Sequence, residues 1–255
     1  MISRVANLVT VHADLALVQF SISAAGLLVA SVMDLKKREV EDYVWWAMLL
    51  LSAPILLARL RQSIANPVST FAYAVSLLTG IAISTFLAKV EMMGGADAKA
   101  IIVLSVTELP EVEKGVLAAV PPLSILACSA LLSLLSIPYI LSRNLAYYLK
   151  SGSLFEGFEK EPLWKKALCL ISAYRVKYGE YLAKEYMYSL AEEKADGRRR
   201  LVVGVRIREE ARGEYEEGEE VWVSPLLPMI AFIATGYITY RTAIYCGIGR
   251  VPRLG

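Results

Sequence analysis

Histidine is almost absent from this chain. His12, close to the N-terminus, is the only one. Cysteine is scarce as well: Cys128, Cys169 and Cys246 are the three, and no two share a short spacing. One imidazole cannot furnish a zinc protease site or readily a Ser-His-Asp hydrolase, and an odd, scattered set of thiols makes neither a disulfide framework nor a zinc knuckle. No metal site or cofactor is expected, and His12 reads as a solvated residue at a membrane edge. Net charge is nearly missing too. Lys+Arg 27 against Asp+Glu 25 leave +2, which gives no support to nucleic-acid binding.

Apolar residues are abundant. Of 255 residues 56% are hydrophobic, yet 20% are charged, and the mean hydropathy is +0.48. One soluble domain would struggle to cover that much apolar side chain. The charges are segregated: positions 143–220 hold 15 Lys/Arg and 15 Asp/Glu, and the other 177 positions hold only 22 charged residues. The chain is therefore a greasy majority with a polar, net-neutral insert.

A membrane span needs about 20 apolar residues. Five uncharged runs qualify: Leu15 to Met33, Tyr43 to Ala58, Gln62 to Ala88, Gly115 to Ser142 and Val221 to Tyr240. The first lacks a strongly basic start and is followed by further spans, so it reads as a retained helix rather than a signal peptide. Trp45 and Trp46 suit an interfacial belt. Asn66-Pro67 marks a helix entrance. Ala100 to Thr107 is short and flanked by Asp97, Lys99 and Glu108. Buried among other helices it would serve as a fourth of six spans. The fold expected is thus an α-helical polytopic membrane protein with about six transmembrane helices and a small α+β cytoplasmic insert before the last helix. The expected divisions are 1–142 for spans one to five, 143–220 for the insert, and 221–255 for the last helix and tail. Lys36-Lys37-Arg38 after the first span sets its side as cytoplasmic, with both termini outside. Arg241, Arg250 and Arg253 at the outer end argue mildly against this.

Within the insert, Leu163, Trp164, Ala167, Leu168 and Ile171 recur at helical spacing between Phe158 and Tyr174, with Lys160, Lys165 and Lys166 among them. This predicts an amphipathic helix, lying on the membrane or packed on its own domain. Tyr181 to Leu190, the alternating stretch from Leu201 to Ile207, and Val221-Trp222-Val223 read as strands. Asp196-Gly197 is a hairpin turn signal, and Gly213 and Gly218 offer a second turn. A small antiparallel sheet follows. Arg198-Arg199-Arg200 reads as a solvated charge run beside Glu192, Glu193 and Asp196, with anionic headgroups as the alternative contact.

Two acids stand apart. Asp34 ends the first span without a polar spacer, and Asp97 starts the short fourth span after Met92-Met93-Gly94-Gly95-Ala96. Two full spans separate them, so both lie on one membrane face. Two carboxylates sharing a site keep one proton between them; the ionised one can activate water while the protonated one polarises a carbonyl. Gly94 and Gly95 would admit an extended substrate backbone beside them. A helix-capping role for Asp97 competes on equal terms.

Gly94-Gly95-Ala96-Asp97-Ala98-Lys99 resembles the GxGD membrane aspartic peptidases, and more closely the archaeal preflagellin and prepilin peptidases of the type IV prepilin peptidase family. In that family the second aspartate is followed by one residue and a lysine, as Asp97 is by Ala98 and Lys99. The first ends the first span before a basic loop. Here that is Asp34-Leu35-Lys36-Lys37-Arg38-Glu39-Val40-Glu41-Asp42, in which Arg38, Val40 and Asp42 match. Ala96 stands where the strict motif has glycine, and Glu41 where the loop often has proline. The match covers roughly Gly26 to Leu104. The resemblance implies a catalytic pair of Asp34 and Asp97, a substrate cleft shaped by Gly94 and Gly95, and a precursor with a short basic leader ahead of a hydrophobic helix, archaellin or pilin-like, cut at the cytoplasmic face of the cell membrane. With no cysteine before Cys128, the zinc loop of the bacterial enzymes is not expected, nor is their methyltransferase activity. Lys99 is expected to be structural or to meet headgroups, and Glu39, Glu41 and Asp42 to form a solvated acidic loop or to attract the leader. Two other readings remain at this point: an ion- or proton-coupled transporter using Asp34 and Asp97, and a non-catalytic membrane scaffold of a filament system.

Overall fold

A computed structural model describes residues 2–63, 66–195, 198–202 and 215–248, with side chains from Asp14 onward except at 62, 63 and 195. His12, Arg250, Arg253, the Asp196-Gly197 turn, Gly213 and positions 203–207 of the alternating stretch lie outside what it describes in side-chain detail. In chain order the helices α1 (Ile2–Lys37), α2 (Asp42–Ser63), α3 (Pro67–Lys89), α4 (Gly95–Thr107), α5 (Val116–Ala119), α6 (Pro121–Ser133), α7 (Ser136–Ser151) and α8 (Leu163–Ser172) precede strand β1 (Tyr174–Lys177). Then come α9 (Tyr178–Ala183), β2 (Tyr188–Leu190), β3 (Glu192–Ala195), β4 (Arg198–Leu201), β5 (Glu220–Pro225) and α10 (Met229–Tyr245). The chain divides into two compact units, 1–133 with 228–255, and 134–227.

The first unit is a helical bundle. Among the described residues, four segments are long and apolar enough to cross a membrane: Asp14–Lys37, Asp42–Arg61, Pro67–Lys89 and Pro121–Ser151, the last continuing into the second unit. Asn66 caps α3 as its sequence suggests, its side chain accepting from Val68 N at 3.0 Å ahead of Pro67. The core runs through Leu27 and Ala30 of α1, Trp45 and Met48 of α2, Ile101 and Leu104 of α4, and Ile233 and Tyr237 of α10. Helix α4 sits at its centre. Its 13 residues reach only about 20 Å at 1.5 Å each, and it packs against α1, α2, α3, α6 and α10. Small residues let backbones meet, as membrane helices require. A Cβ at Gly236 of α10 would stand 2.7 Å from Ser129 N and 2.9 Å from Ser129 Cα on α6.

Two span boundaries differ from expectation. The run from Gly115 to Ser142 is interrupted, α6 ending at Ser133 and α7 starting at Ser136 to continue to Ser151. The last helix starts at Met229, not Val221, because 220–225 are drawn into a sheet.

The second unit centres on β5. It pairs antiparallel with β1 on one side and β2 on the other, while β3 and β4 form a separate hairpin in which Ala195 pairs with Arg198. Val221, Trp222 and Val223 are all fully buried because β5 has a core on each face. Val221 and Val223 join Tyr174 and Tyr181, and Trp222 joins Phe158 and Leu201, as the two-residue period of a strand requires. The aromatic stretch from Tyr181 to Leu190 is not one strand. Tyr178 and Tyr181 stack at 5.7 Å on successive turns of α9, and only Tyr188–Leu190 extends. The helix expected from Phe158 is confined to α8, which starts after Pro162.

Candidate active site

Asp34 lies in the last turn of α1, which ends when Arg38 adopts a left-handed backbone with φ 56°. Arg38 N then donates to Asp34 O at 2.9 Å. This turn brings the Arg38 guanidinium back beside its own helix, with Nη1 4.0 Å from Asp34 Oδ2. Asp34 Oδ2 is buried and makes no hydrogen bond among the described residues.

Asp97 is the third residue of α4, and its carboxylate turns back so that Gly94 N donates to Oδ2 at 3.1 Å. The first-turn, capping role raised from the sequence is therefore realised. It does not isolate Asp97, since Asp34 and Arg38 both lie within its electrostatic reach. The bundle thus gathers at one end two acids 63 positions apart. Both sit where α1 meets α4, and Asp97 is nine-tenths buried.

Gly94 and Gly95 differ in surroundings. A Cβ on Gly94 would come 2.9 Å from Asp97 Oδ2, whereas one on Gly95 would meet nothing within 4 Å. Lys99 does not contact the pair. Its Nζ is 2.6 Å from Asp42 Oδ1, joining the second turn of α4 to the first turn of α2 at the surface. Glu39 and Glu41 are exposed. In the second unit, Arg199 belongs to no free basic run, since its Nη2 is 2.5 Å from the buried Glu192.

The sequence reading missed a second charged cluster, beyond the far end of α4. Arg241 of α10 is 1% exposed. Its Nη1 lies 3.4 Å from Glu108 Oε2 and 3.2 Å from Glu111 Oε1. Tyr237 OH donates to Glu108 Oε1 at 2.6 Å. Arg59 of α2 reaches Glu111 at 3.5 Å, and Lys114 pairs with it too. Burial opposes ionisation of Glu111, but Arg241, Lys114 and Arg59 together hold its carboxyl below the ordinary range. Arg241 is thus an internal counter-ion, not an outer loop charge. Charged residues abutting apolar helices at both Glu108 and Arg241 were the available signal.

A model of the type IV leader peptidase family matches residues 21–137, the region holding both acids. A model of the archaeal peptidase A24 C-terminus, type II, matches residues 165–245. The preflagellin peptidase of Methanococcus maripaludis is 24% identical over 234 residues, 87% of this chain and 93% of its own. That of Methanocaldococcus jannaschii is 24% identical over 242 residues, 87% and 92%. That of Methanococcus voltae is 26% identical over 236 residues, 87% and 93%. Two family models that between them take in both units, and relatives matched along almost their whole length, place this chain in the type IV leader peptidase family.

Proposed function

We propose that this chain is a membrane aspartic endopeptidase that removes the short basic leader of an archaellin or pilin-like precursor, with Asp34 and Asp97 as the catalytic pair. The observation that carries the reading is the convergence of these two acids at one end of the bundle, Asp97 in electrostatic reach of Asp34. One carboxylate, ionised, draws a proton from water; the other, protonated, donates to the scissile carbonyl oxygen. Gly95 leaves open space beside Asp97 in which the extended leader junction would run. Arg38, next to Asp34, keeps the resting pair from standing as two uncompensated charges.

In this reading α4 and α10 complete six spans, although α4 has 13 residues and α10 has 17. The pair faces the cytoplasm beside Lys36-Lys37-Arg38, and residues 143–220 form the polar cytoplasmic insert. Pairing of Arg241 with Glu108 and Glu111 removes it from the count of outer charges, which supports that orientation. The precursor relation rests on the preflagellin peptidases above. Neither a transporter nor a scaffold finds support among them.

The test is leader removal from a preflagellin co-expressed with the chain. Asp34→Asn and Asp97→Asn should each lower the cleavage rate by about 100-fold or more, the usual share of a general acid or base. A variant that reaches the membrane in normal amount and still cleaves like the parent would remove that aspartate from the mechanism.

A further inference from the structure

Helix α8 is built inside out. At 3.6 residues per turn, Leu163, Trp164, Ala167, Leu168 and Ile171 fall within an arc of about 140°. Every one of them is exposed, Leu163 by 82% and Trp164 by 58%. An amphipathic helix packed on its own domain turns that arc inward. What α8 turns inward is Cys169, which joins Phe158, Ala173 and Trp222. Its lysines are held aside by the fold. Lys165 Nζ donates to Leu201 O at 3.2 Å and pairs with Glu161, and Lys166 Nζ donates to Glu159 O at 3.2 Å.

The neighbouring helix repeats the pattern. Asn144 Nδ2 of α7 donates to Leu170 O and Ala173 O at 2.9 and 2.8 Å, fastening α7 to the end of α8. Next to the buried Asn144 on α7, Leu141, Leu145, Tyr148 and Leu149 fall within an arc of about 100° and are exposed. Two helices joined by buried hydrogen bonds thus leave both of their apolar faces uncovered.

Three features identify the cover as lipid. The residues of α7 close the apolar stretch Pro121–Ser151, whose composition suits a bilayer, so the chain enters this unit through lipid-compatible sequence. Lys150 near the end of α7 and Lys160 just before α8 are exposed, cations available to anionic headgroups. Trp164 and Tyr148 are the amphipathic rings that settle at headgroup depth. We propose that α8 lies in the membrane–water boundary, with Leu163, Trp164, Leu168 and Ile171 among the upper acyl chains, about 5–10 Å below the headgroup level. The second unit is then seated on the bilayer by its own surface as well as tethered to it by the chain.

The experiment uses the full chain in vesicles of phosphatidylcholine and phosphatidylglycerol, with the emission of Trp164→Phe subtracted from that of the parent. The subtraction isolates Trp164 from Trp45, Trp46 and Trp222. Its emission should be quenched by lipids brominated near the start of the acyl chain, less by those brominated near its end, and little by iodide in the buffer. Quenching by iodide without quenching by bromolipid would place α8 in water. Protection from both would put a protein on this face. Either result overturns the proposal. Should Trp164→Phe not accumulate, Ala167→Cys gives a second reading with a membrane-impermeant maleimide. Cys169 stays silent there because burial, helped by Glu192, pushes its thiol up to about 12, and the parent supplies the background from Cys128 and Cys246. Slow labelling that speeds up on solubilisation in detergent is expected; rapid labelling in intact vesicles would overturn the assignment.

Discussion

Gly94 and Gly95 are neighbours in the chain, yet a methyl group has different consequences at each. Gly94 has an ordinary extended backbone, φ −67° and ψ 155°, so alanine adds no strain there. Its Cβ would press on Asp97 Oδ2 from 2.9 Å. Moving a reacting group by about 1 Å can cost about 100-fold in rate. Gly94→Ala should therefore depress kcat steeply while costing only about 1 kcal/mol through the weakened cap, which kinetics and thermal unfolding on one preparation will separate. Gly95→Ala touches nothing in the protein and should leave Tm unchanged while raising KM for the precursor. An unchanged KM would remove Gly95 from the substrate path. The sequence makes both acids legible because counting spans puts them on one face. It leaves the roles of the two glycines undivided, since only the turn into α4 decides which one looks at Asp97.

Among the helices, α4 is held at both ends by charge. Lys99 near its start ties it to Asp42, and Glu108 beyond its last turn meets Arg241. The first tie is exposed and contributes little, about 0–1 kcal/mol. The second is buried, and removing one partner from such a pair costs about 3–5 kcal/mol. Arg241→Met should lower unfolding stability by that order, and adding Glu108→Gln should restore part of it, a coupling that a double-mutant cycle reads directly. Glu111 gives a pH signature. Its carboxyl is held below its ordinary value of 4.5 in the folded protein. The stability it lends is complete above that value and disappears as pH falls through the lowered folded pKa. Thermal unfolding of parent and Glu111→Gln should therefore differ most at neutral pH and converge in acid. The sequence signals each partner only as a charge at the edge of an apolar run; their pairing is not legible there, since Glu108 and Arg241 are 133 positions apart. Hydropathy patterning finds runs, so it also merges β5 with α10 across Pro225 and Pro228, and it sees no break between α6 and α7.

Taken whole, the molecule separates a few charges held within its helical unit from the many carried by its second unit. The apolar unit keeps fewer ionisable groups and gathers two clusters of them at the ends of one short helix; the second unit carries many and neutralises several among themselves, as Arg199 does Glu192 and Lys194 does Glu219. That division is plain from composition, because segregated charge needs no fold to be seen. The shortness of α4 has a wider consequence. A helix of about 20 Å cannot match a hydrocarbon layer of about 30 Å. Exposed to lipid, it would have to thin the bilayer around it, at a fraction of a kcal/mol for each ångström of mismatch. Sheathed by α1, α2, α3, α6 and α10, it is isolated from that elastic load, and Asp97 takes its depth from protein neighbours instead. Reconstitution in lipids of graded acyl length should then alter the tilt of the outer helices while the cleavage rate stays nearly flat: the scissors are set by the scaffold, and the thickness of the sheet they work in is not their gauge.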